Sequence, residues 1–100
     1  MLLLIEIRII PIGVGTSLST YIARVIEVIK ERELKYIITP FGTCIEMKDF
    51  DELTTILREI VNVLRNMDVK RIAIDIAIDI RFDKPITLES KVISVKSKLR

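Results

Sequence analysis

Few side chains in this sequence can do chemistry, and those that can are grouped. Thr39-Pro40-Phe41-Gly42-Thr43 puts two hydroxyls around a proline and a glycine, and Cys44 and Glu46 follow closely. Gly13-Val14-Gly15-Thr16-Ser17 sets two glycines and two hydroxyls side by side. Asp75 and Asp79 alternate with Ala73 and Ala77 in the run Arg71–Arg81, which reads RIAIDIAIDIR. There is no histidine, which removes His-based triads, His metal ligands and the usual proton shuttle near neutral pH. Cys44 is the one cysteine, so no intrachain disulfide forms and no neighbouring histidine activates the thiol; a buried small residue is expected. No catalytic residue, no metal site and no resident cofactor are expected.

Each group has two readings. Gly15, Thr16 and Ser17 either present backbone N–H groups to an anion at a helix start, or form a tight strand-to-helix turn with Thr16 or Ser17 as the cap. The segment lacks the lysine of a Walker loop and the third glycine of a dinucleotide fingerprint. Thr39, Gly42 and Thr43, with Glu46 behind them, either hydrogen-bond a small polar ring or make an ordinary hairpin turn. Asp75 and Asp79 lie four apart on a strand, roughly 13 Å by strand rise, too far to share a proton or a metal ion. Pairing of these acids with Arg8 across a sheet is the simplest alternative, with Asp79 kept as a candidate ligand contact.

These groups are positioned by elements that the apolar spacing marks out. In RIAIDIAIDIR every even position is isoleucine, the alternation of a strand with one apolar face. Leu3 to Ile12 reads as a strand too, with Leu3, Ile5, Ile7 and Ile9 on one face; Leu4 and Ile10 on the other suggest a central strand covered on both sides. Pro11 should weaken its regular pairing. Leu18, Ile22, Val25, Ile26 and Ile29 fall at helical spacing, predicting a helix to about Glu33. Tyr36–Thr39 and Thr43–Met47 form a hairpin, with proline presetting one turn dihedral and glycine freeing another. Asp49 or Asp51 opens a second helix to about Met67, with Phe50, Leu53, Ile56, Leu57, Ile60, Val61 and Leu64 as its buried stripe. Thr87 caps a terminal helix with a stripe of Leu88, Val92, Val95 and Leu99; Lys91, Lys96, Lys98 and Arg100 make a solvated face.

The order βαββαβ plus a C-terminal helix is that of an α+β, ferredoxin-like domain spanning residues 1–100. Its four-stranded antiparallel sheet should carry both main helices on one face, facing the isoleucine row, and leave the face of Glu6, Arg8, Asp75 and Asp79 open. With half its residues apolar and 30% charged, the chain should fold, and a net charge of +2 gives no nucleic-acid footprint. Its apolar N-terminus is interrupted by Glu6 and Arg8 and has no basic lead or cleavage site, so no membrane partner and a cytoplasmic location are expected.

Laid out this way, Pro11-Ile12-Gly13-Val14-Gly15-Thr16-Ser17-Leu18-Ser19, then YIITPFGT from Tyr36 to Thr43, then Ile45-Glu46, resemble the small thiamine-binding-like proteins of the YkoF-like superfamily. Asp83-Lys84 and Ser90-Lys91-Val92 to Lys98-Leu99 extend the resemblance over essentially the whole chain. It implies a ferredoxin-like fold, homodimers or homotetramers formed through sheet faces or edges, and non-catalytic binding of thiamine or its hydroxymethylpyrimidine part at or near a subunit interface. Gly15, Thr16, Ser17, Thr39, Gly42, Thr43 and Glu46 fall on the family's recurrent positions. The chain departs from the family at Met47, Val61 and Asp68, where glycine, histidine and glycine are usual, and at Ile80 and Phe82, where an acid and an arginine are usual. A structural or regulatory homo-oligomer without a ligand is the alternative function.

Overall fold

The computed structural model describes residues 2–100. In chain order the elements are β1 (Leu3–Ile12), α1 (Ser19–Glu31), β2 (Tyr36–Ile38), β3 (Thr43–Met47), α2 (Phe50–Asn66), β4 (Arg71–Ile80) and α3 (Leu88–Lys96). The strands form one antiparallel sheet in the order β2-β3-β1-β4, the ferredoxin-like arrangement expected from the sequence. β1 is central, pairing with β3 from Leu3↔Met47 to Ile7↔Thr43 and with β4 from Leu3↔Ile80 to Ile12↔Arg71. Pro11 does not weaken the second ladder, which runs one for one to Ile12; pairing with β3 has already ended at Ile7.

Residues directly opposite in a ladder share a face. Leu3, Ile5, Ile7 and Ile9 therefore lie with Ile45, Met47 and the isoleucine row of β4. Helices α1 and α2 cover that face, and Val25, Ile29, Leu53, Ile56, Ile60 and Leu64 complete a buried core. The cover thins at β4, where Ile76 and Ile78 are 39% and 41% exposed. On α2 the stripe is narrower than the spacing suggests, because Phe50 and Val61 are exposed.

Helix starts differ in how their free N–H groups are satisfied. Asp49 caps α2 by accepting from the Glu52 N–H at 2.8 Å, and Thr87 and Ser90 form a reciprocal capping box on α3. Neither Thr16 nor Ser17 caps α1, whose N-cap is Leu18 with no side-chain hydrogen bond. The loop instead turns at Gly13 and Gly15, with φ of +83° and +95°, where a Cβ is strained.

The other sheet face is not wholly open. Leu4, Glu46 and Asp79 form a row across β1, β3 and β4 on that face, and α3 lies over it. Helix α3 itself buries no residue; Val92, Val95 and Leu99, read as its packing stripe, are exposed, because α3 touches the sheet through its first turn.

Candidate functional site

The hairpin between β2 and β3 is built around Thr39. Its N–H donates to the Gly42 carbonyl at 2.8 Å, and its Oγ1 donates to the same oxygen at 2.8 Å while accepting from the Gly42 N–H at 3.1 Å. Gly42 is needed for room rather than for a left-handed dihedral. A Cβ there would lie 3.1 Å from the Ile7 carbonyl oxygen and 3.2 Å from Cγ of Glu6. The turn is thus pressed onto β1, while Phe41 projects from it, 75% exposed.

Beneath this turn lies a cavity of about 330 Å³, at the low end of small-molecule sites. β1 gives Ile7 and Ile9 to its floor, and α1 gives Leu18, Ile22, Val25 and Ile29, one face of successive helical turns. Thr39, Gly42, Thr43 and Phe41 line it from the hairpin. Thr43 is the one buried polar side chain of the described residues, so it sets a hydroxyl in a mostly apolar wall that Arg8 and Thr39 also line. Such a surface suits a flat, weakly polar ring that takes a hydrogen bond at its edge. The lining of α1 reads in sequence only as a core stripe, so its spacing gives no separate signal of a cavity.

The sequence-predicted residues divide among three places. Thr39, Gly42 and Thr43 share the cavity. Gly15, Thr16 and Ser17 lie in the exposed β1–α1 loop just before Leu18 and do not line it. Glu46 lies on the opposite face, since it is three residues from Thr43 on one strand. Its carboxylate accepts from the Leu88 N–H at 2.8 Å, and the Lys35 ammonium stands 3.8 Å away. Asp79 pairs with Lys91 of α3. Both acids therefore hold α3 onto the sheet, with Lys35 and Leu88 as partners that the sequence does not point to.

Between α3 and the sheet is a second hollow of about 250 Å³, lined by Leu4, Glu6, Cys44, Ala77, Asp79 and Lys91 among others. Burial, and after it the charge of Glu6, pushes the Cys44 thiol up, so it is a poor nucleophile. Asp75 pairs with Arg8 directly across the ladder, at 2.5 Å. After β4, the Arg81 guanidinium beside Asp83 holds that carboxyl down at about 2. No group of three or more Cys, Asp and Glu among the described residues is arranged to hold a metal ion. No described helix is long and apolar enough to cross a membrane.

The chain has relatives along nearly its full length. It is 35% identical to a UPF0045 protein of Methanothermobacter thermautotrophicus over 95 residues, covering 94% of this chain and 96% of that protein. UPF0045 protein MJ1052 of Methanocaldococcus jannaschii is 40% identical over 86 residues, covering 86% and 84%. A crystal structure of the hypothetical protein MJ1052 superposes with a TM-score of 0.85 at 36% identity, covering 95% of this chain and 96% of that one. A crystal structure of a putative thiamine biosynthesis/salvage protein of Thermotoga maritima superposes with a TM-score of 0.81 at 27% identity, covering 95% and 99%. The family model described as thiamine-binding protein matches residues 5–96. The chain belongs to the thiamine-binding protein family.

Proposed function

We propose that this protein binds thiamine or its hydroxymethylpyrimidine part, without catalysis, in the cavity under the β2–β3 turn. The observation that carries the reading is that cavity itself, apolar on the α1 side, mostly apolar on the β1 side, where Arg8 also lines it, and with Thr39 and Thr43 on the hairpin side. The family supports it, as does the neighbour named a putative thiamine biosynthesis/salvage protein. In this reading the pyrimidine ring enters between Ile7 and the α1 residues, its edge hydrogen-bonded by the Thr43 hydroxyl. The Gly15–Ser17 loop, exposed beside Leu18, is available to the projecting part of the ligand. Glu46 and Asp79 act through α3 rather than on the ring. The protein works in the cytoplasm, with thiamine as a carried ligand and not as a cofactor.

Ligand binding to the folded state raises stability by mass action. Thiamine at a hundred times its Kd should add about 2.7 kcal/mol, a rise in Tm on the order of 10 °C for a chain of this size. A scanning melt with millimolar thiamine, and another with hydroxymethylpyrimidine, measures it; unmoved Tm values in both refute the proposal.

A second reading, a homo-oligomer without a small ligand, is favoured by apolar surface on the face away from α1 and α2. Ile37 is exposed there, and so are Val92, Ile93 and Val95 of α3. Ala73 faces the same side opposite Ile10. If that face meets another subunit, Ala73→Arg should lower the mass measured by light scattering, and an unchanged mass would move the contact off the face.

A further inference from the structure

The flank of β1 beside the hairpin is only half used. Pairing with β3 ends at Ile7↔Thr43, while β1 itself runs on to Ile12. Main-chain groups alternate between the two flanks of a strand, so a few contacts fix their direction. The Ile7 carbonyl oxygen stands 3.1 Å from where a Gly42 Cβ would lie, so Ile7 turns its main chain to the hairpin. The Glu46 N–H donates to the Lys35 carbonyl at 3.0 Å, which turns Glu46 towards β2 and Thr43, Ile45 and Met47 towards β1, in agreement. Ile9, two residues beyond Ile7, therefore points its N–H and C=O to the same flank, past the end of β3. Neither group has a hydrogen-bond partner among the described residues. Ile9 is 7% exposed and lines the cavity of about 330 Å³ under the turn. A buried main-chain donor and acceptor without partners are costly, so a matching group in the cavity is favoured.

We infer, resting on the cavity as the ligand site proposed above, that the Ile9 main chain decides which ligand edge is accepted. It selects heterocycles that carry an amino donor beside a ring-nitrogen acceptor, the amidine pattern. The Ile9 N–H donates to the ring nitrogen and the Ile9 C=O accepts from the amino group. These are the paired bonds that a strand residue such as Ile7 exchanges with its opposite number in a ladder. In hydroxymethylpyrimidine that edge is the 4-amino group with the adjacent ring nitrogen, and the other ring nitrogen is left for the Thr43 hydroxyl. An oxo group in place of the amino group puts a proton on that nitrogen and reverses donor and acceptor, so each Ile9 group meets its like. Turning the ring over restores the match only by sending the hydroxymethyl arm the opposite way. Pro11 narrows what else this flank can take. It is the next residue on the flank and has no N–H, so an added peptide strand finds one donor within β1 beyond Ile7, at Ile9, and no second. A small ring needs only one. The same direction explains why Pro11 leaves the β4 ladder intact, since its nitrogen faces the unpaired flank.

Amide exchange and proton shifts read by NMR on the unaltered protein test this residue by residue. Without ligand, the Ile9 amide should exchange about tenfold or more faster than those of Ile7 and Ile10, which face β3 and β4. Saturating hydroxymethylpyrimidine should shift the Ile9 amide proton downfield and slow its exchange by about tenfold or more, with a smaller change at Ile10. In calorimetric titration the 4-oxo counterpart of hydroxymethylpyrimidine should bind about tenfold or more weakly. A saturable hydroxymethylpyrimidine isotherm with the Ile9 amide unmoved, or with the 4-oxo compound bound equally well, would overturn this role of Ile9 and leave the cavity standing as the ligand site. No saturable heat with either compound would overturn both.

Discussion

Ile45→Ala is expected to destabilise the protein by about 2–5 kcal/mol, the range for emptying a buried isoleucine site. Ile45 is 0% exposed at the middle of β3, with Ile5 opposite on β1 and Tyr36 opposite on β2. Strands β1 and β2 flank it and the two helices lie above, so the surroundings have little freedom to collapse into the space. A domain of this size has on the order of 5–15 kcal/mol in total, so the loss is a large share. Its neighbour gives the contrast. Cys44 points to the other face and is only partly buried, so Cys44→Ala should cost well under half as much. Urea unfolding of the two variants measures both; equal losses would mean that β3 is not registered as described.

Glu46→Ala should release α3 from the sheet while leaving the rest of the domain folded. The Glu46 side chain is 11% exposed and accepts from the Leu88 N–H, where a carboxylate also meets the positive end of the helix dipole. Hydrogen bonds to charged groups contribute about 1.5–3 kcal/mol, and α3 buries no residue of its own to offset the loss. Exchange of the amides of 88–96 should therefore accelerate by about tenfold or more, with little change in the protection of β1. Glu46→Gln, which keeps an acceptor oxygen, should fall between.

The same tether is sensitive to pH at its second point. Hydrogen bonding to the Lys35 ammonium holds the Glu89 carboxyl below the usual glutamate range, and the bond to Glu89 in turn raises Lys35. The carboxyl's contribution is complete above the ordinary glutamate range and is lost as pH falls through its lowered value. The ammonium's contribution is complete below the ordinary lysine range and is lost as pH rises through its raised value. Both groups are solvent-exposed, so the effect is small, and protection of α3 should form a plateau that falls off in acid and in strong base. Flat protection through the acid limb would contradict the assignment.

How much of this was legible beforehand depended on period and on distance along the chain. The alternation of β4 and the helical spacing of Ile56, Ile60 and Leu64 carried the fold, because each needs only local geometry. The pairing of Arg8 with Asp75 followed once the strands were ordered. The candidate site was legible only by halves. Thr43 and Glu46 look like one cluster in sequence, yet an odd separation on a strand sends them to opposite faces. That parity was readable; what Glu46 meets was not, since Leu88 lies 42 residues further on. The expected caps at Thr16 and Ser17 failed because the helix begins later, at Ser19, which puts Leu18 rather than either hydroxyl residue at the N-cap. The exposed stripe of α3 has a physical reason as well: periodicity marks an apolar face without saying whether the chain itself covers it.

The most direct test of the account is calorimetric titration of thiamine into the unaltered protein and into Thr43→Val, which removes the cavity's buried hydroxyl while nearly keeping its shape. The prediction is one saturable isotherm for the unaltered protein, weakened about twofold to tenfold in Thr43→Val, the loss of one hydrogen bond. The absence of saturable heat at millimolar thiamine, or equal affinity in the two proteins, would contradict a ligand site beneath the β2–β3 turn.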